Sequence, residues 1–92
     1  MELLSEEQIS KRLTGSEWAR EGDAIVRERK LADFAQAIAF VDEVAALAEE
    51  ANHHPDILVH GWNRVRLTLS THSAGGLTEA DFALARQIDA LA

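Results

Sequence analysis

The 92-residue chain has no cysteine, a single proline and no long apolar run, and each of these absences limits what it can be. Without cysteine it has no disulfide, no thiolate nucleophile and no cysteine-ligated zinc, which is typical of a protein of the reducing cytoplasm. No stretch approaches the roughly 20 apolar residues of a membrane helix, so we expect no membrane partner. Residues 1–7 are acidic rather than basic, so we do not expect a secretory signal there.

Positive charge is also scarce, because 9 lysines and arginines face 16 acidic residues and the net charge is −7. A chain this acidic repels a phosphate backbone, so we expect no nucleic-acid partner. The two basic clusters, residues 27–30 and Arg64 with Arg66, alternate as strand residues do, which favours a solvated strand face over a partner-binding patch. The composition, 47% hydrophobic and 27% charged, predicts one globular domain over residues 1–92.

Capping signals and apolar periodicity predict an α+β fold. Capping signals at residues 5–8, 33–36 and 78–81 each open a helix, and we expect these helices to end near Leu13, at Ala51 and at the C-terminus. Residues 18–20, 24–31, 56–60 and 64–71 read as strands, and hairpin connections between them imply antiparallel pairing. The predicted order is α-β-β-α-β-β-α, with three helices packed on one face of a four-stranded antiparallel sheet.

The long central helix has an apolar arc of roughly 180°, which is wider than one sheet face usually requires. One interpretation is deep burial within the domain. The other is that Phe40, Val44 and Leu47 face another subunit. The two neighbouring stripes that make the arc are Leu31, Phe34, Ile38, Val41, Ala45 and Ala48, and Ala37, Phe40, Val44, Leu47 and Ala51.

Three of the four histidines lie at predicted element boundaries, where a loop can direct a side chain into a cleft. His53 and His54 precede Pro55, and His72 precedes the glycine-rich turn at residues 74–76. Histidine has an unperturbed pKa of about 6.5 and exchanges protons at neutral pH, so the cluster indicates acid–base chemistry. Adjacent side chains on extended backbone point to opposite sides, so we expect one of the pair to face a substrate directly. His60 is expected to be structural.

Asp81 lies on the inner stripe of the last helix, where an unpaired charge would be costly. It is either the acid of a capping box or a carboxylate that orients a histidine or binds an N–H-rich ring, and both roles can coexist. Zinc would accept histidine and carboxylate ligands. However, the chain has no His-x-x-x-His pair and adjacent histidines are awkward co-ligands, so we expect no metal.

Four segments closely resemble the pterin-4a-carbinolamine dehydratase family, namely NHHPD at 52–56, WNRV at 62–65, LSTH at 69–72 and GGLTEADFALA at 75–85. The resemblance covers nearly the whole chain, and its most specific part is the combination of His-His-Pro, Thr-His and Gly-Leu-Thr. It implies the same α+β fold and a hydro-lyase that dehydrates 4a-hydroxytetrahydropterin to quinonoid dihydropterin. It also implies no metal, no bound cofactor, and a homodimer or homotetramer formed through the sheet edge and the long helix.

The family's functional positions fall on His53, His54, His72 and Asp81. The resemblance implies that His53 and His72 are the catalytic acid and base, in an order left open, and that His54 and Asp81 bind or orient the pterin. Glu49, at a family acidic position, and Trp62, where tyrosine is often found, are weaker candidates.

Some members of the family act as binding or assembly proteins, so a catalytically idle dimeric interaction module on the same fold is the alternative. The presence of all three histidines and Asp81 favours the enzyme. The segment 55–62 is one residue longer than in better-known members, and the hairpin near Trp18 is shorter, which affects the expected pocket rim.

Overall fold

The computed structural model describes residues 2–91 and has the predicted order of helices and strands. A 3₁₀ turn at His72–Ala74 precedes the last helix. The elements are α1 (Glu6–Leu13), β1 (Ala19–Glu21), β2 (Ala24–Lys30), α2 (Phe34–Ala51), β3 (Asp56–His60), β4 (Arg64–Leu69) and α3 (Glu79–Asp89).

The strands form one antiparallel sheet in the order β1-β2-β4-β3, which confirms the predicted fold. Strand β4 lies inside the sheet, and its apolar residues Val65, Leu67 and Leu69 are buried. The register places Ile25 beside Leu69 and Ile57 beside Leu67, so these side chains share the face that the helices cover. The alternate residues of β4 therefore lie on the other face, which we call the open face.

The wide apolar arc of α2 is mostly explained by burial within the domain. Phe40 and Val44 are 3% and 0% exposed and belong to the core, and Leu47 packs against it while partly buried. The hypothesis that this stripe faces another subunit is therefore wrong for Phe40 and Val44, and for Leu47 it stays a prediction. The large apolar residues that α2 leaves exposed, Phe34 and Ile38, belong to the neighbouring stripe.

Several predicted boundaries differ from the structure at the ends of elements. Strand β1 begins after Trp18, whose buried indole Nε1 donates to Asp89 at 2.8 Å. Strand β4 ends at Leu69, because Thr71 forms an isolated β-bridge with Gly76 instead of continuing the pairing of the sheet. Helix α3 ends at Asp89 rather than at the C-terminus, and Ala92 lies outside the described residues.

The open face of the sheet is charged and internally paired. Glu28 of β2 contacts both His60 of β3 and Arg64 of β4, and Arg66 contacts Glu21 of β1. The hydrogen bond from His60 holds the pKa of the Glu28 carboxyl below its ordinary value. Arg64 and Arg66 are therefore engaged within the sheet. Arg27 instead pairs with Asp89 of α3, and Arg29 lies over the ring of Phe40 in α2. Between residues 2 and 91, the helices are too short or too polar to span a bilayer.

Candidate active site

A cavity of about 350 Å³ opens at one end of the open face, where β4 leaves the sheet. This volume is within the usual range for small-molecule sites. His54 and His72, from separate segments of the chain, both contribute to its wall. The lining residues are Asp23, Ala24, His54, Asp56, Thr68, Ser70, His72 and Gly75.

His54 reaches the cavity because α2 stops abruptly just before it. Asn52 ends the helix in the left-handed conformation, with φ of 50°, and its N–H caps the last carbonyl groups of the helix. Pro55 then favours extended backbone at His54 before β3 begins. The His54 side chain is 57% exposed, and its Nε2 contacts the carboxylate of Glu49 in the last turn of α2.

His72 reaches the cavity from a different segment, as the first residue of the 3₁₀ turn that follows β4. Gly75 ends this turn with φ of 78°, a conformation that favours glycine. The ring of His72 is exposed and makes no hydrogen bond to any other residue between 2 and 91. Its two nitrogen atoms are therefore available to a ligand.

His53 is held against α3 by Asp81, a carboxylate with no exposed surface. His53 Nε2 lies 2.6 Å from Asp81 Oδ1, while Asp81 Oδ2 accepts hydrogen bonds from the Thr71 hydroxyl at 2.8 Å and from the Thr78 N–H at 2.9 Å. Asp81 is thus both the capping-box acid of α3 and the partner of a histidine. A carboxylate only accepts hydrogen bonds, so a neutral His53 carries its proton on Nε2 and leaves Nδ1 as the basic nitrogen.

The structure brings five of the six candidate residues to this end of the molecule. His54 and His72 line the cavity, and Glu49 contacts His54. His53, the neighbour of His54 in sequence, pairs with buried Asp81. His53 keeps 15% of its side chain exposed and is not one of the lining residues above. Trp62 lies in the β3–β4 turn, at the opposite end of β4 from Ser70, with φ of 59° and 62% exposure.

Four polar lining residues were not singled out from the sequence: Asp23, Asp56, Thr68 and Ser70. Thr68 and Ser70 were detectable in principle, because they lie on the polar side of β4 immediately before His72. Asp23 was not, because its position depends on how the β1–β2 hairpin folds beside β4, where the Ser70 hydroxyl donates to the Asp23 carbonyl at 2.7 Å.

The cavity combines two imidazoles with two carboxylates, and its described lining includes neither lysine nor arginine. Such a wall accepts hydrogen bonds from the N–H groups of a ligand and can move protons near neutral pH. Among residues 2–91, no group of three or more histidine, aspartate or glutamate side chains is placed to hold a metal ion.

Comparison with known sequences gives one consistent family. Residues 2–91 match the family described as pterin 4 alpha carbinolamine dehydratase. A protein of Chloroflexus aurantiacus is 57% identical over 90 residues, which cover 97% of this chain and 96% of the relative. A protein of Nocardia farcinica is 56% identical over 92 residues, covering 99% and 96%. Both are named "Putative pterin-4-alpha-carbinolamine dehydratase".

Two solved structures share the fold. A transcriptional coactivator/pterin dehydratase from Brucella melitensis superimposes with a TM-score of 0.90 at 36% identity, covering 97% of each chain. A pterin dehydratase-like protein identified as a RuBisCO assembly factor in the alpha-carboxysome gives a TM-score of 0.63 at 32% identity, covering 79% of this chain and 83% of that one.

Proposed function

This chain belongs to the pterin 4 alpha carbinolamine dehydratase family, and from that premise we propose that it dehydrates 4a-hydroxytetrahydropterins by histidine acid–base catalysis. The observation that carries the proposal is the convergence of the His-His and Thr-His motifs at a single cavity of about 350 Å³. The product is quinonoid dihydropterin, and the reaction is part of pterin recycling.

The reaction needs two proton transfers and no change of oxidation state. One group protonates the 4a-hydroxyl, so that the C4a–O bond breaks with water as the leaving group. The other removes the proton from N5, and its electron pair forms the new C=N bond to C4a. The enzyme gains one proton and loses one, so exchange with solvent returns both groups to their starting states.

We assign the two proton transfers to His72 and His53, without specifying which acts on the hydroxyl. The support for His72 is its position in the cavity wall and a ring that makes no hydrogen bond to the other described residues. The support for His53 is its pairing with buried Asp81, because a carboxylate partner fixes the tautomer and the orientation of a histidine ring. His53 lies outside the cavity lining, so its role requires that the bound pterin reach the exposed edge of its ring.

His54 and the acidic lining residues supply binding in this proposal. His54 contacts the pterin, and Glu49 holds the His54 ring in place. Asp23 and Asp56 offer acceptors for the amino and ring N–H groups of a pterin. Asp81 orients His53 through its contact with Nε2. Trp62 has no role in the proposal, because it lies at the end of β4 far from the cavity.

The first test is the decay of chemically generated 4a-hydroxytetrahydropterin, followed by absorbance with and without the protein. His53→Ala and His72→Ala are each expected to lower kcat by roughly 10²- to 10⁴-fold, the usual contribution of a positioned acid or base. His54→Ala is expected to raise KM more than it lowers kcat. His60→Ala is the matched control, because His60 contacts Glu28 away from the cavity.

Two outcomes would contradict the assignment. No acceleration by folded wild-type protein would remove the dehydratase and favour an interaction module, as in the relative identified as an assembly factor. A loss of kcat in His54→Ala, with His53→Ala unaffected, would move the second proton transfer from His53 to His54.

We also propose that the chain forms a homodimer or homotetramer through the edge strand β3 and the exposed stripe of α2. The support is the exposed apolar surface on both elements: Leu58 of β3 is 53% exposed, and Phe34 of α2 is 55% exposed. Strand β3 is also an edge of the sheet, so its outer backbone groups can pair with another strand.

A further inference from the structure

Two buried threonine hydroxyls lie next to Asp81, the partner of His53. Thr71 is 6% exposed and Thr78 is 0% exposed, and their hydroxyl oxygens lie 2.8 Å apart. The Thr71 hydroxyl is also 2.8 Å from Asp81 Oδ2. Buried hydroxyls without partners are costly, so this geometry is maintained by mutual hydrogen bonding.

The direction of each hydrogen bond in this cluster follows from the donors available. The Thr71 hydroxyl donates its single proton to the Asp81 carboxylate, which can only accept. The proton between the two threonine oxygens therefore comes from Thr78. The result is a continuous chain from Thr78 through Thr71 and Asp81 to His53, in which each bond polarises the next.

The backbone of Thr71 holds the other histidine. Its N–H donates to the Gly76 carbonyl at 3.0 Å, and its carbonyl accepts from the N–H groups of Ala74 and Gly75, each at 3.0 Å. These bonds close the 3₁₀ turn that begins at His72. Thr71 therefore contacts Asp81, the partner of His53, with its side chain. With its backbone it closes the turn that holds His72.

We propose that Thr71 is a positioning residue of the dehydratase site: its hydroxyl fixes the orientation of the Asp81 carboxylate, and thereby the tautomer and direction of His53, while its backbone fixes the turn that holds His72. This inference rests on the proposed function only for its effect on rate. The effect on His53 can be measured without any substrate.

The test compares Thr71→Val, which keeps the shape and removes the hydroxyl, with Thr71→Ser, which keeps the hydroxyl. The ring ¹⁵N shifts of His53 report its tautomer, and kcat and KM are measured on the same samples. Ile88→Val is the control for stability alone, because it removes one buried methyl from α3 two turns beyond Asp81.

In wild-type protein we expect neutral His53 to be the Nε2–H tautomer. In Thr71→Val we expect a mixture of tautomers and a fall in kcat of about tenfold or more, with a smaller change in KM, because positioned acid–base groups contribute roughly 10²–10⁴ in rate. Thr71→Ser is expected to restore the wild-type tautomer and most of kcat. Ile88→Val is expected to lower stability and leave both readouts unchanged.

The proposal is overturned if wild-type His53 is the Nδ1–H tautomer, a measurement that does not depend on whether any variant folds. It is also overturned if folded Thr71→Val keeps the wild-type tautomer, or if Thr71→Ser behaves like Thr71→Val. If wild-type protein has no dehydratase activity, the proposed function fails, and the tautomer in wild type, Thr71→Val and Thr71→Ser still decides the role of Thr71.

Discussion

The two carboxylate oxygens of Asp81 have different partners, and this division explains how one residue supports both a helix and a histidine. Oδ2 accepts from the Thr78 N–H and the Thr71 hydroxyl, whereas Oδ1 faces His53. Three hydrogen bonds to a fully buried carboxylate offset much of the cost of removing its charge from water. They also leave Asp81 few ways to rotate.

This division makes the Asp81→Asn variant informative. The amide oxygen is expected to take the place of Oδ2, because both of its neighbours are donors. The amide nitrogen would then face His53 as a donor, and His53 could accept only by moving its proton to Nδ1. We expect the ring ¹⁵N shifts to reverse from Nε2–H to Nδ1–H, with kcat reduced by roughly 10²-fold or more.

Asp42→Asn, at an exposed position on α2, is the matched control and is expected to leave the His53 tautomer and kcat unchanged. Retention of the Nε2–H tautomer in Asp81→Asn would mean that the amide has flipped or that Oδ1 is not the group that fixes His53. Either result would remove Asp81 from its orienting role.

At the scale of single residues, the sequence predicted the partners that are close along the chain, whereas for Asp81 it proposed contact with a histidine and left open which one. The capping box at residues 78–81 placed Asp81 at the start of α3, and the structure confirms it. The contact between His53 and Asp81 joins residues 28 apart and depends on how the end of α2 lies against α3. Periodicity within either helix contains no information on that distance.

At the scale of elements, the end of α2 is the feature on which the site depends. Asn52 adopts the left-handed conformation there, and the next two residues are the adjacent histidines. For a residue with a Cβ this conformation costs roughly 1–2 kcal/mol, which asparagine offsets better than most residues do and glycine avoids.

We therefore expect Asn52→Ala to lower the free energy of unfolding by about 1 kcal/mol, measured by urea denaturation. The same variant should lower kcat, because a displaced helix end moves His53 and His54 together. Asn52→Gly is the matched control and is expected to keep both stability and activity near wild type. Equal stability of the alanine and glycine variants would show that the left-handed cap does not determine where α2 ends.

The structure departs from the sequence prediction where irregular backbone depends on contacts distant in sequence. The alternation of residues 64–71 predicted a strand up to Thr71, and β4 stops at Leu69. Thr71 bonds instead with Gly76, Thr78 and Asp81, so tertiary contacts override the local pattern. The 3₁₀ turn at His72–Ala74 has only three residues, too few for any periodicity to reveal.

At the scale of the whole molecule, the exposed apolar residues on α2 and β3 predict association. We expect sedimentation to give two or four times the 10.1 kDa mass of the chain. Phe34→Glu and Leu58→Lys, one on each surface, should each lower the association state, because a charge buried at an interface without a partner is costly. Leu3→Glu, at a leucine that is 52% exposed and lies on neither surface, is the control.

A monomer at every concentration would contradict this prediction, as would an assembly that both substitutions leave intact.

The sequence predicted the fold correctly but not which stripe of α2 is exposed, and the reason is physical. Burial along α2 follows from apolar periodicity, but which of two adjacent stripes faces the sheet depends on the rotation of the helix, and here Phe40 and Val44 face inward.

The double engagement of Asp81 also bears on descent, because this fold is shared by a pterin dehydratase-like protein identified as an assembly factor. Losing Asp81 would weaken the first turn of α3 whether or not the protein catalyses anything, so we expect either kind of relative to keep it for stability alone. The side chain of His72 makes no comparable structural hydrogen bond among the described residues. If His72 transfers a proton as proposed, its presence or absence in a relative is therefore the better indicator of the dehydratase reaction.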